Sequence, residues 1–377
     1  MIYWDNNATT PLAPEVLESM LPYLREQYFN PSAAYAEAKA VRRALGAARE
    51  QVAALLGVEP DEIIFTSGAT EATNSALRAA QRCLCPAIEH PATLRSLGAE
   101  SRAVIAPVTP EGEIDAEAWA RLLPGCDAAS LAWVNHETGV IQAVGSLARA
   151  AAQAGVRVHV DLVQAAGKIP LALHEHPISF ASLSAHKFHG PKGVGALYVR
   201  RGTPWKPLLL GGGQEDYRRA GTENVAGIIG MGRAAELARD ACRDRSALEA
   251  LRTRFLTTLR AAGIEPVLNG GGASARLPQV LNLRIPGISA ESLSLLLEAQ
   301  GVLCAAGSAC TSAEPEPSHV LRAMGIPDAA IRESLRLSFN RYSSAEEIDR
   351  GADIFIRCIR KIRSVQSSRT GPVTVYR

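Results

Sequence analysis

The sequence is 377 residues long, 47% apolar and 21% charged, and its 40 basic and 38 acidic residues leave a formal charge of +2. These values exclude a disordered, collagen-like or coiled-coil chain, and they give no electrostatic basis for a nucleic-acid or membrane-surface partner. Because a single core rarely grows past roughly 250–300 residues, a large domain with a smaller companion is expected. The opening stretch, MIYWDNNATTPL, has acidic and amide residues where a secretory leader needs basic residues and then an apolar run. With no uncharged apolar stretch of about 18 residues, no membrane span is predicted. Seven scattered cysteines, at 83, 85, 126, 242, 304, 310 and 358, do not suggest a disulfide framework and fit a reduced cytosol. Six lysines stand against 34 arginines, so both amine and thiol chemistry have few candidates.

Along the chain, EVLESMLPYLREQ and EAKAVRRALGAAREQVAALLG have helical spacing, and EIIFTSG (62–68) reads as the first long strand. SLAWVN (130–135), VRVHVD (156–161), ISFASLSAH (178–186) and GALYVRR (195–201) read as further strands, with GSLARAAAQAG as a helix between the first two of these. This alternation predicts an α/β fold with a mostly parallel sheet sandwiched by helices, and ligands in such sheets sit at the carboxyl ends of the strands. LLLGGGQ and RRAGTENVAG precede a helix expected over roughly residues 225–262. PVLNGGGASARLPQVLNLRIPG then reads as strands and turns, two more helices follow, and the last dozen residues, QSSRTGPVTVYR, read as a frayed tail. The expected division is a large domain over 15–255 and a small α/β domain made of 1–14 and 256–377.

Three strand ends carry chemistry. In FTSGATEATN, the turn at Gly68 and the helix start that follows offer backbone N–H groups and the Thr70 hydroxyl to a phosphate, although an ordinary helix cap has the same sequence. VHVDLVQAAGK places Asp161 at a strand end with Gln164 three residues on. A carboxylate there can pair with a cationic ring nitrogen, or simply cap the next turn. Lys187, between His186 and Phe188 directly after a strand, sits where a lysine's pKa falls far enough to form a Schiff base; the other lysines lie on charged helices, in turns, or after Pro-Trp. Cys310, in GSACTSAEPEPSHVL, is bracketed by small and polar residues as a reactive thiolate requires, whereas Cys83, Cys126, Cys242, Cys304 and Cys358 read as packing. HEH at 174–176 and CLC at 83–85 lack the paired spacing of a tetrahedral zinc site, so no metal is expected.

Together YWDNNATTPL, FTSGATE, VNHETGV, HVDLVQAAGK, SAHKFHGPKGVGALYVR, RAGTEN, GSACTSA and RLSFNRY resemble, in order over about residues 2–360, the cysteine desulfurases. These are pyridoxal 5'-phosphate enzymes of fold type I, related to the class-V aminotransferases. The resemblance implies L-cysteine as substrate, L-alanine as product, a persulfide on an enzyme cysteine, a sulfur-acceptor protein such as an iron–sulfur scaffold or sulfur carrier, and a cytoplasmic homodimer with active sites at the subunit interface. It implies that Lys187 is the cofactor lysine, that Asp161 partners the pyridine nitrogen and that Gln164 donates to the ring hydroxyl. Ala69, Thr70, Ser184 and His186 correspond to the phosphate cup, with Thr222 contributed by the neighbouring subunit. His90 corresponds to the histidine stacked on the ring and able to act in proton transfer, and Cys310 to the persulfide cysteine. Arg336 corresponds to the arginine that binds the substrate carboxylate, with Asn6 and Asn7 lining the same pocket.

The sequence departs from this pattern at VNHETG, where many relatives read NNE. His136 there takes the place of an asparagine that donates to the ring hydroxyl, and imidazole titrates near neutrality, so a different pH dependence is expected unless Asn135 fills the role instead. The segment from Asn74 to His90 is short, and the tail lacks the long extension through which some relatives dock an iron–sulfur scaffold. A selenocysteine lyase or an aminotransferase on the same fold would not depend on the Cys310 thiol in the same way. A non-catalytic paralogue would have no need to retain Lys187, Asp161, His90 and Cys310 together.

Overall fold

The computed structural model describes residues 1–98, 102–306 and 317–369. The chain opens with a two-residue strand, β1 (Ile2–Tyr3), followed by the helices α1 (Pro14–Arg25) and α2 (Ala36–Leu56). A seven-stranded sheet then forms from β2 (Ile63–Thr66), β3 (Cys83–Pro86), β4 (Ala103–Ala106), β5 (Ala128–Ala132), β6 (Arg157–Asp161), β7 (Phe180–Ser184) and β8 (Gly195–Val199). Its order is β2–β8–β7–β6–β5–β3–β4. β8 runs antiparallel to both neighbours, and every other neighbouring pair is parallel.

Helices cover both faces, so successive side chains enter different cores. Ile63 and Phe65 join a core with Leu45, Val52 and Leu56 of α2 and Met231 of the helix Val225–Ala241. Ile64 turns to the opposite face, where Ala72, Ala76 and Leu77 of α3 (Ala69–Leu77) pack with Cys83, Cys85 and Leu197. With both faces buried, these strands need no polar alternation, which is why their sequences read as continuous apolar or small-residue runs.

Several expected boundaries move. The strand expected at 130–135 starts and ends earlier, because Asn135 Oδ1 accepts the Glu137 and Thr138 N–H groups, both at 2.9 Å, and turns the chain out of the sheet. The short strands β3 and β4, four residues each, carry too little pattern to be read from sequence. The single helix expected over 225–262 is two, Val225–Ala241 and Ser246–Ala261, broken where Asp244 accepts the Ser246 N–H at 2.8 Å. The end expected to fray from 366 stays helical through Arg369.

A second core surrounds β9 (Val267–Leu268), β10 (Val280–Arg284), β12 (Ala305–Ala306) and β13 (Ser334–Ser338), ordered β12–β13–β10–β9, with β11 (Val302–Leu303) pairing in parallel with β1. Trp4 is the anchor that ties the N-terminus to this core. Its ring meets Phe255 and Phe339 edge-on at 5.4 and 5.3 Å, and its indole N–H donates to Glu347 Oε1 at 2.8 Å. Helix Ala345–Arg369 crosses the indole at Gly351, where a β-carbon would lie 2.1 Å from the ring. Among the described residues no helix is long and apolar enough to cross a membrane.

Trp4→Ala is expected to cost about 3–5 kcal/mol of unfolding free energy, and Gly351→Ala about 1–3 kcal/mol through overpacking against the same ring. Urea denaturation of both variants and of their double mutant checks this; once Trp4 is gone, the Gly351 substitution should cost almost nothing.

Candidate active site

Three carboxyl-end turns of the sheet, those after β5, β6 and β7, meet the N-terminal segment. β6 ends at Asp161, whose Oδ1 accepts the Val163 N–H at 2.8 Å and starts the turn carrying Gln164 and Lys168. Burial pushes the Asp161 carboxyl up to about 6, only partly opposed by that hydrogen bond and by Lys187. β7 ends at Ser184 and continues into the short turn Ala185–Lys187. From there Lys187 Nζ donates to the carbonyl oxygens of Asn7 and Ala8 at 2.7 and 3.0 Å.

β8 begins at Gly195, where a β-carbon would stand 2.5 Å from the Leu183 carbonyl and 2.7 Å from Gly68 Cα. Only glycine lets the turn before α3 pack this closely, so Ala69 and Thr70 begin their helix beside Ser184. Glu71 closes the turn by accepting the Ser67 N–H at 2.8 Å and pairing with Arg219 at 2.9 Å, which holds its carboxyl below the usual range against the effect of burial. His186 contacts Thr9 Oγ1 through Nδ1 at 3.1 Å, and its carbonyl accepts both the N–H and the hydroxyl of Thr10 at 2.9 Å. Burial and the nearby Lys187 push its imidazole down to about 4.

Asn6 and Asn7 form the floor. Asn6 Nδ2 donates to the Ser338 carbonyl at 2.8 Å, and Asn7 Nδ2 to the His136 carbonyl at 3.1 Å. Arg336, on β13, reaches the same His136 carbonyl through Nη1 at 3.1 Å and pairs through Nη2 with Asp5 at 2.7 Å. Its Nε is buried without a partner. The guanidinium is therefore fixed by two groups while part of its donor fork stays uncommitted.

Histidines line the opposite side. His90 caps the helix Pro91–Ser96, with Nδ1 accepting the Ala92 N–H at 3.0 Å. Because a backbone N–H can only donate, the neutral ring carries its proton on Nε2. Burial, then Lys187 and His319, push His90 down to about 4. His136 lies edge-on to His90 at 5.3 Å and 6.3 Å from His319, which contacts the Glu89 carbonyl through Nε2 at 2.9 Å. Burial, then the surrounding His90, Arg336, His319 and Lys187, push His136 well below the usual histidine range. Glu89, buried with Oε1 on the Ala132 N–H at 2.8 Å, is pushed well above the usual carboxylate range by burial, with Asp161 adding to the effect.

The fold thus brings together Lys187, Asp161, Gln164, His90, His136, Asn6, Asn7 and Arg336, with Ala69, Thr70, Ser184 and His186 along the adjoining turn. Thr222 is exposed, three residues beyond Arg219. Cys310 lies outside the described residues. Burial pushes the thiols of Cys85 and Cys304 up to about 12, and raises Cys83, Cys126, Cys242 and Cys358 as well. Sequence reasoning passed over Asp5, Glu89, Glu137, Lys168 and His319. Asp5, Glu89, Glu137 and His319 stand inside or beside motifs already singled out, and Lys168 sits four residues after Gln164, a spacing that could have been weighed.

The family model described as aminotransferase class-V matches residues 2–350. A cysteine desulfurase of Cereibacter sphaeroides is 42% identical over 380 residues, spanning 97% of each chain. A solved structure described as a NifS-like protein matches with a TM-score of 0.88 at 34% identity, covering 96% of this chain and 99% of its own. A second, described as SspA in complex with cysteine, matches with a TM-score of 0.81 at 30% identity, covering 91% and 100%.

Five of the eight histidines, His90, His136, His159, His186 and His189, have lowered pKa values, each with burial as the largest cause. Unfolding below pH 6.5 lets each take up a proton, while the raised acids Glu89 and Asp161 release theirs, so unfolding takes up protons on balance. Stability of the cofactor-free protein should therefore fall as pH drops from 6.5 towards 5, and calorimetry in buffers of different ionisation enthalpy counts the protons. A flat profile would contradict these assignments.

Proposed function

From its membership in the class-V aminotransferase family, to which this chain belongs, we propose that it is a cysteine desulfurase. It removes sulfur from L-cysteine, releases L-alanine, and carries the sulfur as a persulfide on Cys310 for an acceptor protein such as an iron–sulfur scaffold or a sulfur carrier. The observation that carries this reading is the convergence of one strand-end amine, Lys187, one buried carboxylate, Asp161, and a half-committed guanidinium, Arg336, around the Asp5–Ala8 segment. Its relatives at about 42% identity over nearly the whole chain bear the same name.

Pyridoxal 5'-phosphate fits this cavity by the chemistry of its donors. Asp161 is a buried acid with a raised pKa, so it gains from a cationic ring nitrogen beside it. The start of α3, Thr70, Ser184 and His186 would hold the phosphate, Gln164 and His136 the ring oxygen, and Lys187 the aldehyde carbon. In a cytoplasmic homodimer, Thr222 of one protomer would complete the phosphate site of the other. When bound, the cofactor supplies a sink for the electron pair left on the substrate carbon skeleton.

The remaining work belongs to the chain. Arg336 binds the substrate carboxylate with Nε and its uncommitted N–H groups, held in place by Asp5 and the His136 carbonyl. Lys187 Nζ takes the proton from the substrate α-carbon and returns it when alanine is formed. His90, with its Nδ1 engaged by Ala92 and its pKa lowered by burial, would offer Nε2–H as a donor to the bound cofactor or substrate. The Cys310 thiolate attacks the substrate sulfur. The new S–S bond forms as the Cβ–S bond breaks, and the electron pair of that bond stays with the carbon skeleton that leaves as alanine.

Holoprotein incubated with L-cysteine and a reducing thiol should release alanine and sulfide in equal amounts. Cys310→Ala should keep the cofactor's yellow colour and lose sulfide release, whereas Lys187→Ala should lose the borohydride-reducible linkage. Arg336→Lys should raise the KM for cysteine roughly 10–100-fold. Normal desulfuration by Cys310→Ala would refute the persulfide assignment, and a reducible linkage surviving in Lys187→Ala would move the cofactor to another lysine.

A further inference from the structure

Lys168 lies in the turn after β6, within hydrogen-bond reach of Asn7 and Gln164, and nothing in the proposed chemistry uses it. Its Nζ donates to Gln164 Oε1 in a short hydrogen bond and to Asn7 Oδ1 at 3.2 Å. Among the described residues no carboxylate lies within ion-pair distance of it, and it lines a small cavity together with Lys187, Asn6 and Gln279. A lysine surrounded by amides and by the neighbouring cations Lys187 and Arg336 pays for its desolvation without an ion pair, so its value to the fold is not stability.

Its value lies in what it does to two amides. The two ends of a glutamine or asparagine amide have nearly the same shape, and only hydrogen-bonding partners decide which end faces where. Gln164 Nε2 faces the Asn7 carbonyl at 3.0 Å, and Asn7 Nδ2 faces the His136 carbonyl at 3.1 Å. Both carbonyls can only accept. Lys168 supplies the opposite constraint, presenting N–H donors to both amide oxygens at once. Flipping either amide would set oxygen against a carbonyl and N–H against N–H, leaving buried polar groups unpaired. One N–H of Gln164 is taken by Asn7, and the second is then held as a donor.

We propose that Lys168 is a positioning residue that fixes the Gln164 and Asn7 amides so that Gln164 presents its free N–H to the cofactor's ring oxygen. This rests on the desulfurase reading above and deepens it. Lys168 acts through Gln164 rather than on substrate, so the two residues form one unit whose substitutions are not additive.

The test measures pyridoxal 5'-phosphate dissociation constants and cofactor absorption bands for wild type, Lys168→Met, Lys168→Arg, Gln164→Met and the Lys168→Met/Gln164→Met double variant, alongside melting of each apoprotein. Lys168→Met should weaken cofactor binding roughly tenfold and shift the absorption band, while its apoprotein still folds. Lys168→Arg, which keeps N–H donors, should bind more tightly than Lys168→Met. In the Gln164→Met background, Lys168→Met should have almost no further effect. Additive losses in the double variant, or a Lys168→Met apoprotein that fails to fold, would overturn the proposal. So would an unchanged dissociation constant and band in Lys168→Met. Wild type that takes up no cofactor would instead overturn the desulfurase reading itself, and this proposal with it.

Discussion

Asn7 is the residue on which the two cores and the site depend. Its N–H donates to Ser338 Oγ in the second core at 2.9 Å, while its carbonyl accepts Lys187 from the sheet edge and Gln164 from the turn after β6. Its side chain bridges Lys168 and the His136 carbonyl. A single residue thus satisfies polar groups from four separate segments, all withdrawn from water, where an unpaired donor or acceptor is costly. Trp4, three residues earlier, is the apolar counterpart that fixes this segment in place.

The electrostatics follow from that arrangement. Three basic side chains, Lys187, Lys168 and Arg336, stand close together, and burial with these neighbours pushes His90 and His136 below the usual histidine range. Such a cavity favours anionic groups, a phosphate and a carboxylate, and it disfavours further protonation as pH falls. Outside it, the six described cysteines have thiols raised by burial, which disfavours the thiolate at each of them.

Much of this was legible in the sequence, for a physical reason. Strand ends in a parallel sheet are where ligands bind, and Asp161, Lys187 and the Gly68 turn each follow a recognisable apolar run. The parts that were not legible depend on residues distant in sequence. His136 reads as a titrating imidazole until Arg336, two hundred positions away, and His319 are seen beside it. Lys168 reads as a turn residue until Asn7 is folded against it. The break at Asp244 rests on one side-chain hydrogen bond that carries no periodicity, and β3 and β4 are too short to show a pattern.

The central claim is that the sulfur of L-cysteine passes to one thiol of this chain. Mass spectrometry of the peptides from holoprotein treated with L-cysteine, alkylated without reduction, tests it most directly. The account predicts one additional sulfur atom on the peptide that carries Cys310 and unmodified thiols on the peptides of the other six cysteines. Alanine release with the extra sulfur on another cysteine, or on none, would contradict it.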